Sequence, residues 1–565
     1  MRRLASLLLI PVTIAIVTVG TRGQERHTTL RVFDVVETSI PQLQAALESG
    51  QLTSHELVLL YMQRIALYED RVNAVAYLSR TALDEADLLD QERAAGRIRG
   101  PLHGIPVAVK DIINTTNMPT TGGAVAFEGI VPPYDAPLVV KLKEAGAIII
   151  AKTVLTELAN WVTVGMPGNY SGLFGFAMNP YDPRIDPVAN DGRPVMGTGG
   201  SSSGGGTTLS FWAASVGTET SGSILSPSNQ NMLAGIKPTL GLISRYGVIP
   251  ITGDQDTAGP MARTVTDAAI MLGAMAGFDP NDPATNRCTP PPGNDYTRFL
   301  RLAGLQGARI GIPRAQFYNP TTRPDTGATV GGINAAQLAV MEDAIRVLRA
   351  QGATIVDPAD IPSVLDRTPA NNFSTFPTCS GTGNAKGSDA NCSVVFKYGM
   401  KRDFNAYLAS LGPGAPFKTL TQLRQYNLAN QNRNTIRFGQ QQLDISDEMD
   451  LNADRARYEV DRRRDIFIAA THGIDEAIAV NNLDALLFPG SSSAAIAAKA
   501  GHPTVIVPFG FIPNVVTGVP ASFNLRDQPY GVGFTGTACT EPRLLELAYA
   551  FEQATKRRVR PPAFP

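Results

Sequence analysis

A short apolar segment that ends in a lysine constrains the fold of this chain most strongly. Residues 104–110 read Gly-Ile-Pro-Val-Ala-Val-Lys, a composition typical of a buried strand. A helical pattern follows at residues 138–145, and a second apolar strand is predicted at residues 147–151. Because strands and helices that alternate along a chain pack in layers, this order predicts an α/β fold.

The alternation of helices and strands extends along much of the chain. Residues 40–67 have a helical pattern, in which Thr53 and Glu56 have the spacing of a capping box. Between residues 357 and 451 the pattern weakens, and we interpret this segment as an insertion or a substrate-side layer. Strands are also predicted at 74–78, 309–312, 354–356, 485–488 and 504–507, and helices at 81–95, 264–277, 335–351 and 542–555.

The N-terminal residues have the pattern of an export signal. Two arginines after Met1 precede an apolar run over residues 4–20, and residues 21–24 are polar. This order predicts a signal peptide at residues 1–24 and a secreted or periplasmic protein. The alternative is that the segment is retained as a membrane anchor, since its length is at the short limit for a spanning helix.

Overall composition excludes some classes of function. The formal net charge is −1 and no long basic run occurs, so nucleic-acid binding has little support. The histidines are scattered and no Cys-x-x-Cys motif is present, so we expect no metal and no organic cofactor. Cys379 and Cys392 close a short loop and form the favoured disulfide in an exported chain, with free thiols as the alternative. The pairing of Cys288 and Cys539 stays open.

The lysine at the end of the first strand is a candidate catalytic group. Burying an ammonium group is costly, so Lys110 is expected either to be paired with a carboxylate or to have a depressed pKa. A depressed pKa makes the neutral amine available as a base. The structural alternative is a salt bridge, for which the neighbouring Asp111 is the obvious partner.

Two segments rich in glycine and serine supply candidate nucleophiles. Residues 197–206 read Gly-Thr-Gly-Gly-Ser-Ser-Ser-Gly-Gly-Gly, which is also compatible with a flexible linker. They contain a loose Gly-x-Ser-x-Gly match centred on Ser202. Residues 217–224 read Gly-Thr-Glu-Thr-Ser-Gly-Ser-Ile, in which a Ser-Gly-Ser turn can expose a hydroxyl and several N–H groups.

Together these segments resemble the amidase signature family, especially its peptide-amidase-like branch and the A-type subunit of glutamyl-tRNA amidotransferase. The resemblance spans residues 36–563 and is strongest over about 100–275. It implies an amidase catalytic domain with a mixed central β-sheet covered by helices on both faces. The matching motifs are Gly-Pro-Leu-His-Gly-Ile-Pro-Val before Lys110, Leu-Thr-Glu-Leu-Ala-Asn at 155–160, the triple-serine run, Gly-Thr-Glu-Thr at 217–220, Gly-Ile-Lys-Pro-Thr at 235–239 and Asp-Thr-Ala-Gly-Pro-Met-Ala-Arg at 256–263.

The resemblance also assigns roles to individual residues. It implies that Ser223 is the nucleophile, Ser201 the bridging serine and Lys110 the base. Ser201 and Ser223 are closer in sequence than is usual in the family, which leaves Ser202 as the other candidate for the bridging position. The implied oxyanion hole consists of the backbone N–H groups of Thr220, Ser221, Gly222 and Ser223.

The sequence therefore predicts an exported amidase that converts a small-molecule or peptide amide to an acid and an amine or ammonia. One alternative is a secreted binding protein on a catalytically degenerate amidase scaffold. Another is a Ser–His–Asp esterase that uses Ser202 with His502 or His472. The export signal argues against a component of the tRNA-dependent amidotransferase. We expect a membrane contact only if the N-terminal segment is retained, and the substrate and oligomeric state stay open.

Overall fold

A mixed β-sheet organises the computed structural model, which describes residues 33–565. The strands are β1 Val75–Leu78, β2 Pro106–Lys110, β3 Ile148–Thr153, β4 Tyr170–Ser171, β5 Gly175–Phe176, β6 Ala214–Glu219, β7 Ala234–Lys237, β8 Thr257–Ala262, β9 Arg309–Gly311, β10 Pro320–Thr322, β11 Thr329–Gly331, β12 Thr354–Val356, β13 Ala485–Pro489, β14 Thr504–Ile512 and β15 Gln528–Thr535. Eleven of them form one sheet in the order β1-β3-β2-β6-β8-β7-β14-β15-β13-β9-β12.

Helices flank this sheet and connect its strands. They are α1 Ile40–Glu48, α2 Ser54–Val72, α3 Ala82–Ala94, α4 Pro137–Glu144, α5 Gly205–Thr208, α6 Leu225–Gln230, α7 Val265–Met275, α8 Arg314–Phe317, α9 Ala335–Ala350, α10 Pro362–Leu365, α11 Val395–Ser410, α12 Leu420–Ala429, α13 Gln441–Asp447, α14 Arg455–Ile466, α15 Asp475–Asn481, α16 Ala494–Ala500 and α17 Glu541–Thr555. The predicted α/β class with a mixed central sheet is confirmed.

The strand pairing places the lysine strand in a parallel part of the sheet. Strand β2 pairs in parallel with β3 on one side and with β6 on the other. The next strands are antiparallel, since β8 runs against both β6 and β7. All residues of β2 and β6 are buried, so the sheet holds the ends of these two strands in a fixed relation.

The segment predicted as one helix at residues 40–67 is two helices. The first ends at Glu48, and Gly50 with φ of 69° turns the chain before α2 begins at Ser54. The predicted capping box lies at this second start. Thr53 Oγ1 accepts the N–H of Glu56 at 3.1 Å, and Glu56 Oε2 accepts the N–H of Thr53 at 2.9 Å.

The four cysteines form two disulfides, Cys379–Cys392 and Cys288–Cys539. The pairing that the sequence favoured is thereby confirmed. The second bridge links Cys288, which follows α7, to Cys539, which lies two residues before the start of α17.

Residues Val35–Pro565 form one compact unit. The predicted signal peptide lies outside the described residues. Within residues 33–565, no helix combines the length and the apolar character needed to cross a membrane. The weakly patterned segment 357–451 contains α10 to α13, and its role as an insertion or substrate-side layer stays a prediction.

Candidate active site

Lys110 ends β2 with its side chain fully buried. Its Nζ donates hydrogen bonds to Ser201 Oγ at 2.7 Å and to Thr218 Oγ1 at 3.0 Å. Asp111, the expected salt-bridge partner, lies instead 3.5 Å from Lys152 Nζ. Burial of the ammonium group lowers the pKa of Lys110 to about 7, so a large fraction of this amine is neutral at neutral pH.

The two candidates for the bridging serine have different surroundings. Ser201 follows a cis peptide bond, receives the Lys110 hydrogen bond and accepts the N–H of Thr156 on its carbonyl oxygen at 2.9 Å. The Ser202 hydroxyl donates to the Thr218 carbonyl at 3.1 Å and accepts the Thr218 N–H at 3.2 Å. Ser201 therefore lies against the lysine, whereas Ser202 ties the triple-serine segment to β6.

Ser223 lies in the turn that joins β6 to α6. The Ser202 N–H donates to the Ser223 carbonyl oxygen at 3.2 Å, which brings the two serine segments side by side. Gly222 has a φ of 107°, which glycine adopts easily and which reverses the chain just before Ser223. Glu219 Oε2 anchors the far side of the turn by accepting the N–H groups of the two residues after Ser223, at 2.8 and 2.9 Å.

The predicted oxyanion-hole residues follow β6 directly. In the part of the chain that the structure describes, the N–H groups of Thr220, Ser221 and Ser223 have no hydrogen-bond acceptor. The N–H of Gly222 faces the Glu219 carboxylate instead. Three of the four predicted donors are therefore available to a substrate oxygen.

Asp256 anchors the first residue of this turn. Thr220 Oγ1 donates to Asp256 Oδ1 at 2.5 Å, and Gln255 Nε2 donates to the Thr220 carbonyl oxygen at 3.1 Å. Asp256 Oδ2 accepts the N–H groups of Ile251 and Thr252, each at 2.9 Å. Burial raises the pKa of Asp256 to about 7.

Thr218, Glu219 and Asp256 contribute to the site although the sequence predicted no individual role for them. Each of them is part of a motif that carries the family resemblance. Thr218 and Glu219 directly precede the predicted oxyanion residues, and this position in the sequence could have indicated that they belong to the site. Asp256 is distant in sequence, and only the antiparallel pairing of β6 with β8 brings it to the turn.

The histidines considered for a Ser–His–Asp arrangement lie elsewhere. His502 Nε2 is 2.7 Å from Asp475 Oδ1, and His472 lies between two carboxylates at 3.1 and 2.7 Å. Within residues 33–565, neither ring is hydrogen-bonded to Ser202, whose hydroxyl is engaged by the main chain of β6. The described residues also contain no group of three or more metal-ligating side chains.

A cavity of about 330 Å³ adjoins the candidate site. Thr218 and Thr220 of the segment that precedes Ser223 form part of its wall, and Ala406 and Tyr407 of α11 form another part. The apolar segment 247–251 contributes five further lining residues, and Asp256 also borders the space. A space of this size is within the range of sites for small organic groups.

Comparison with known proteins decides the family. The family model described as Amidase matches residues 56–545, which is most of the chain. This chain belongs to the amidase family. A probable amidase of Arabidopsis thaliana is 32% identical to it over 565 residues, with 99% of this amidase and 97% of the plant protein covered.

Other relatives agree with this membership. A putative amidase of Arthroderma benhamiae is 32% identical to this amidase over 540 residues, which cover 93% of this chain and 83% of the fungal protein. The native peptide amidase from Stenotrophomonas maltophilia matches with a TM-score of 0.76 and 35% identity, covering 93% of this chain and 98% of that one. The protein is therefore an amide hydrolase with the amidase signature fold.

Proposed function

We propose that this amidase cleaves its substrate through an acyl-enzyme on Ser223, with Ser201 as the bridging hydroxyl and Lys110 as the base. One observation carries the proposal: the buried Lys110 Nζ lies 2.7 Å from Ser201 Oγ, and its hydrogen-bond acceptors are hydroxyl and carbonyl oxygens. An amine with a pKa near 7 is suited to general-base catalysis at neutral pH.

The reaction begins with two coupled proton transfers. Neutral Lys110 takes the hydroxyl proton of Ser201, and Ser201 takes that of Ser223 as Ser223 Oγ bonds to the amide carbonyl carbon. The free N–H groups of the turn stabilise the negative charge that develops on the carbonyl oxygen. Ser223 is 8% exposed while Ser201 and Lys110 are fully buried, so the substrate meets the nucleophile first.

The second half of the reaction returns the proton and releases the acid. The proton passes through Ser201 to the leaving nitrogen as the C–N bond breaks, which leaves an ester on Ser223. Water then loses a proton to the same relay and attacks the ester carbonyl. The C–O bond to Ser223 breaks as Ser223 Oγ takes that proton back through Ser201. The products are a carboxylic acid and an amine or ammonia, and Lys110 is neutral again.

Replacing the nucleophile tests the mechanism. We expect Ser223→Ala to lower kcat by at least about 1,000-fold with the fold preserved, since the covalent step is lost. Ser228→Ala is the matched control, because Ser228 is buried on α6 and its hydroxyl makes no hydrogen bond in the described chain. Circular dichroism verifies folding of both variants. Wild-type turnover by Ser223→Ala would exclude this assignment.

We propose a peptide amide as the substrate. The support is the 35% identity to a peptide amidase over nearly the full length of both chains. Hydrolysis of a library of peptide amides, acyl amides and simple amides, with release of ammonia or amine measured, ranks these classes. A preference for simple amides over all peptide amides would contradict the proposal.

The two alternative functions predict different results. A degenerate binding protein would hydrolyse no member of the library and would leave a fluorophosphonate probe unattached to Ser223. A Ser–His–Asp esterase would retain activity in Lys110→Ala and lose it in His502→Ala. We expect the reverse, because Lys110 contacts the serine segment and His502 is paired with Asp475.

We also propose that the protein is exported, with residues 1–24 removed. The support is the N-terminal sequence pattern and the pairing of all four cysteines, since disulfides persist in oxidising compartments. Expression of the full chain followed by N-terminal sequencing of the exported protein tests this. Recovery of uncleaved protein in the membrane fraction would instead support a retained anchor.

A further inference from the structure

A second cavity, of about 340 Å³, lies at the far end of α6 from Ser223. We call it the polar cleft and define it by Gln230, Ser491, Ser492, Gln528 and Tyr530. Gln230 is the last residue of α6, the two serines follow β13, and the other two residues begin β15. None of the lining residues carries a formal charge at neutral pH, so the cleft is suited to an uncharged ligand.

The polar groups of the cleft have unused hydrogen-bonding capacity. Within residues 33–565, the side chains of Gln230, Ser491, Ser492, Gln528 and Tyr530 make no hydrogen bond to another residue, although neighbouring carboxamides do. Five uncharged polar side chains without a hydrogen-bond partner among the described residues thus line one space. Such a wall matches a ligand that carries several neutral donors and acceptors of its own.

The cleft is close to the proposed nucleophile. Helix α6 begins two residues after Ser223 and spans six residues, so its length is about 9 Å at the usual rise per residue. The loop that carries the two cleft serines continues into Ala494, whose Cβ is 3.4 Å from where a side chain on Gly222 would begin. One loop therefore borders both the oxyanion turn and the cleft.

We infer that the polar cleft binds the peptide main chain of the substrate, two to four residues away from the bond that is cleaved. An extended peptide advances about 3.3 Å per residue, so three residues cover the length of α6. The main chain offers one neutral donor and one neutral acceptor per residue. These groups can form hydrogen bonds with the uncharged side chains that line the cleft. This inference rests on the proposed peptide-amide substrate and assigns the residues that select for its length.

Substrates of two lengths test the cleft. The wild-type enzyme is compared on an N-acetylated amino-acid amide and on an N-acetylated tetrapeptide amide with the same C-terminal residue. The double variant Gln528→Leu/Tyr530→Phe removes polar groups and keeps the side-chain volumes nearly unchanged. We expect its kcat/KM to fall about tenfold on the tetrapeptide amide, through KM, and to stay within about twofold on the short amide.

Binding without turnover separates this inference from the proposed mechanism. The tetrapeptide amide is titrated by calorimetry into Ser223→Ala and into Ser223→Ala that also carries the two cleft substitutions. We expect weaker binding by the second protein, whether or not the wild type hydrolyses the peptide. Equal affinity of the two proteins for the tetrapeptide amide would overturn the role of the cleft. An equal loss of kcat/KM on the short and the long amide would do the same. Absence of turnover together with cleft-dependent binding would overturn only the proposed hydrolysis.

Discussion

Two buried lysines end up with different chemistry because their neighbours differ. Lys152 on β3 has Asp111 at 3.5 Å, and its pKa falls to about 8. Lys110 on the adjacent β2 contacts two hydroxyl groups, and its pKa falls to about 7. Burial lowers both values, and the adjacent carboxylate opposes that effect for Lys152. The lysine that contacts a serine hydroxyl is therefore the candidate base, and the lysine that contacts a carboxylate forms a structural ion pair.

The pKa of Lys110 predicts the acid side of the pH profile. The base works as the neutral amine, so activity should be lost as the pH falls through about 7 and the amine becomes protonated. The measurement is kcat/KM from pH 5 to pH 9 on one amide. An acid limb near pH 4 would instead indicate a carboxylate base. Lys110→Arg should be inactive throughout, since a guanidinium stays protonated.

Asp256 influences both the oxyanion turn and the lysine. The ionised form of Asp256 raises the pKa of Lys110, so Asp256→Asn should move the acid limb of kcat/KM to lower pH. We also expect kcat to fall about tenfold, because the Thr220 hydroxyl loses the carboxyl group that accepts its hydrogen bond. Asp267→Asn is the matched control, since Asp267 is fully buried and accepts the Ile40 N–H at 2.8 Å. A limb that moves equally in both variants would contradict the prediction.

The catalytic candidates were predictable from the sequence because they lie in compact motifs. Lys110 ends an apolar strand, and Ser223 ends a Gly-Thr-Glu-Thr-Ser-Gly-Ser turn. The choice between Ser201 and Ser202 was not predictable, since adjacent serines have the same composition around them. Their hydrogen bonds differ because of the pairing of β2 with β6. In the paired strands, the Ser201 hydroxyl accepts a hydrogen bond from Lys110, and the Ser202 hydroxyl donates to the Thr218 carbonyl.

Helix α11 forms part of the wall of the cavity next to the site. Ala406→Phe should fill part of this space, because the new ring is larger than the methyl group it replaces. If the cavity receives a side chain of the substrate, kcat/KM should fall at least about tenfold for amides with bulky groups and stay nearly constant for small ones. A size series of amides, assayed with both proteins, measures this. Equal effects along the series would contradict the cavity's role in binding.

The two disulfides should contribute unequally to stability. Cys288–Cys539 spans 251 residues and Cys379–Cys392 spans 13, and a longer closed loop restricts the unfolded chain more. Removal of the long-range bridge by paired Cys→Ser substitution should lower the free energy of unfolding by about 5 kcal/mol, against about 3 kcal/mol for the short one. Urea unfolding without reductant measures both. A larger loss from the short bridge would contradict this order.

Elements with strong local patterns were predicted well, and those shaped by packing were not. Strands β2 and β3 are rich in apolar and β-branched residues, so their burial can be predicted from the sequence. Strand β15, by contrast, contains two glycines and a proline, and it is held by β13 and β14 on its two sides. Pairing on both edges can stabilise a segment whose own propensity for a strand is weak.

At the scale of the whole molecule, the class of fold was predictable and the strand order was not. Alternation along the chain indicated α/β layers. The central position of β14 and β15, between β7 and β13, depends on contacts between distant segments, which local patterns do not report. Such contacts also decide where Asp256 and the polar cleft lie relative to Ser223.

The insertion of late strands into the middle of the sheet has a consequence for how the protein is made. Strand β7 pairs with β14, through partners such as Gly235 and Ile506. The half of the chain that carries the proposed nucleophile therefore leaves the ribosome with one sheet edge unpaired, long before its neighbour is synthesised. Exposed edges of this kind attract other chains. The central sheet can therefore be completed only after the last strands have been synthesised.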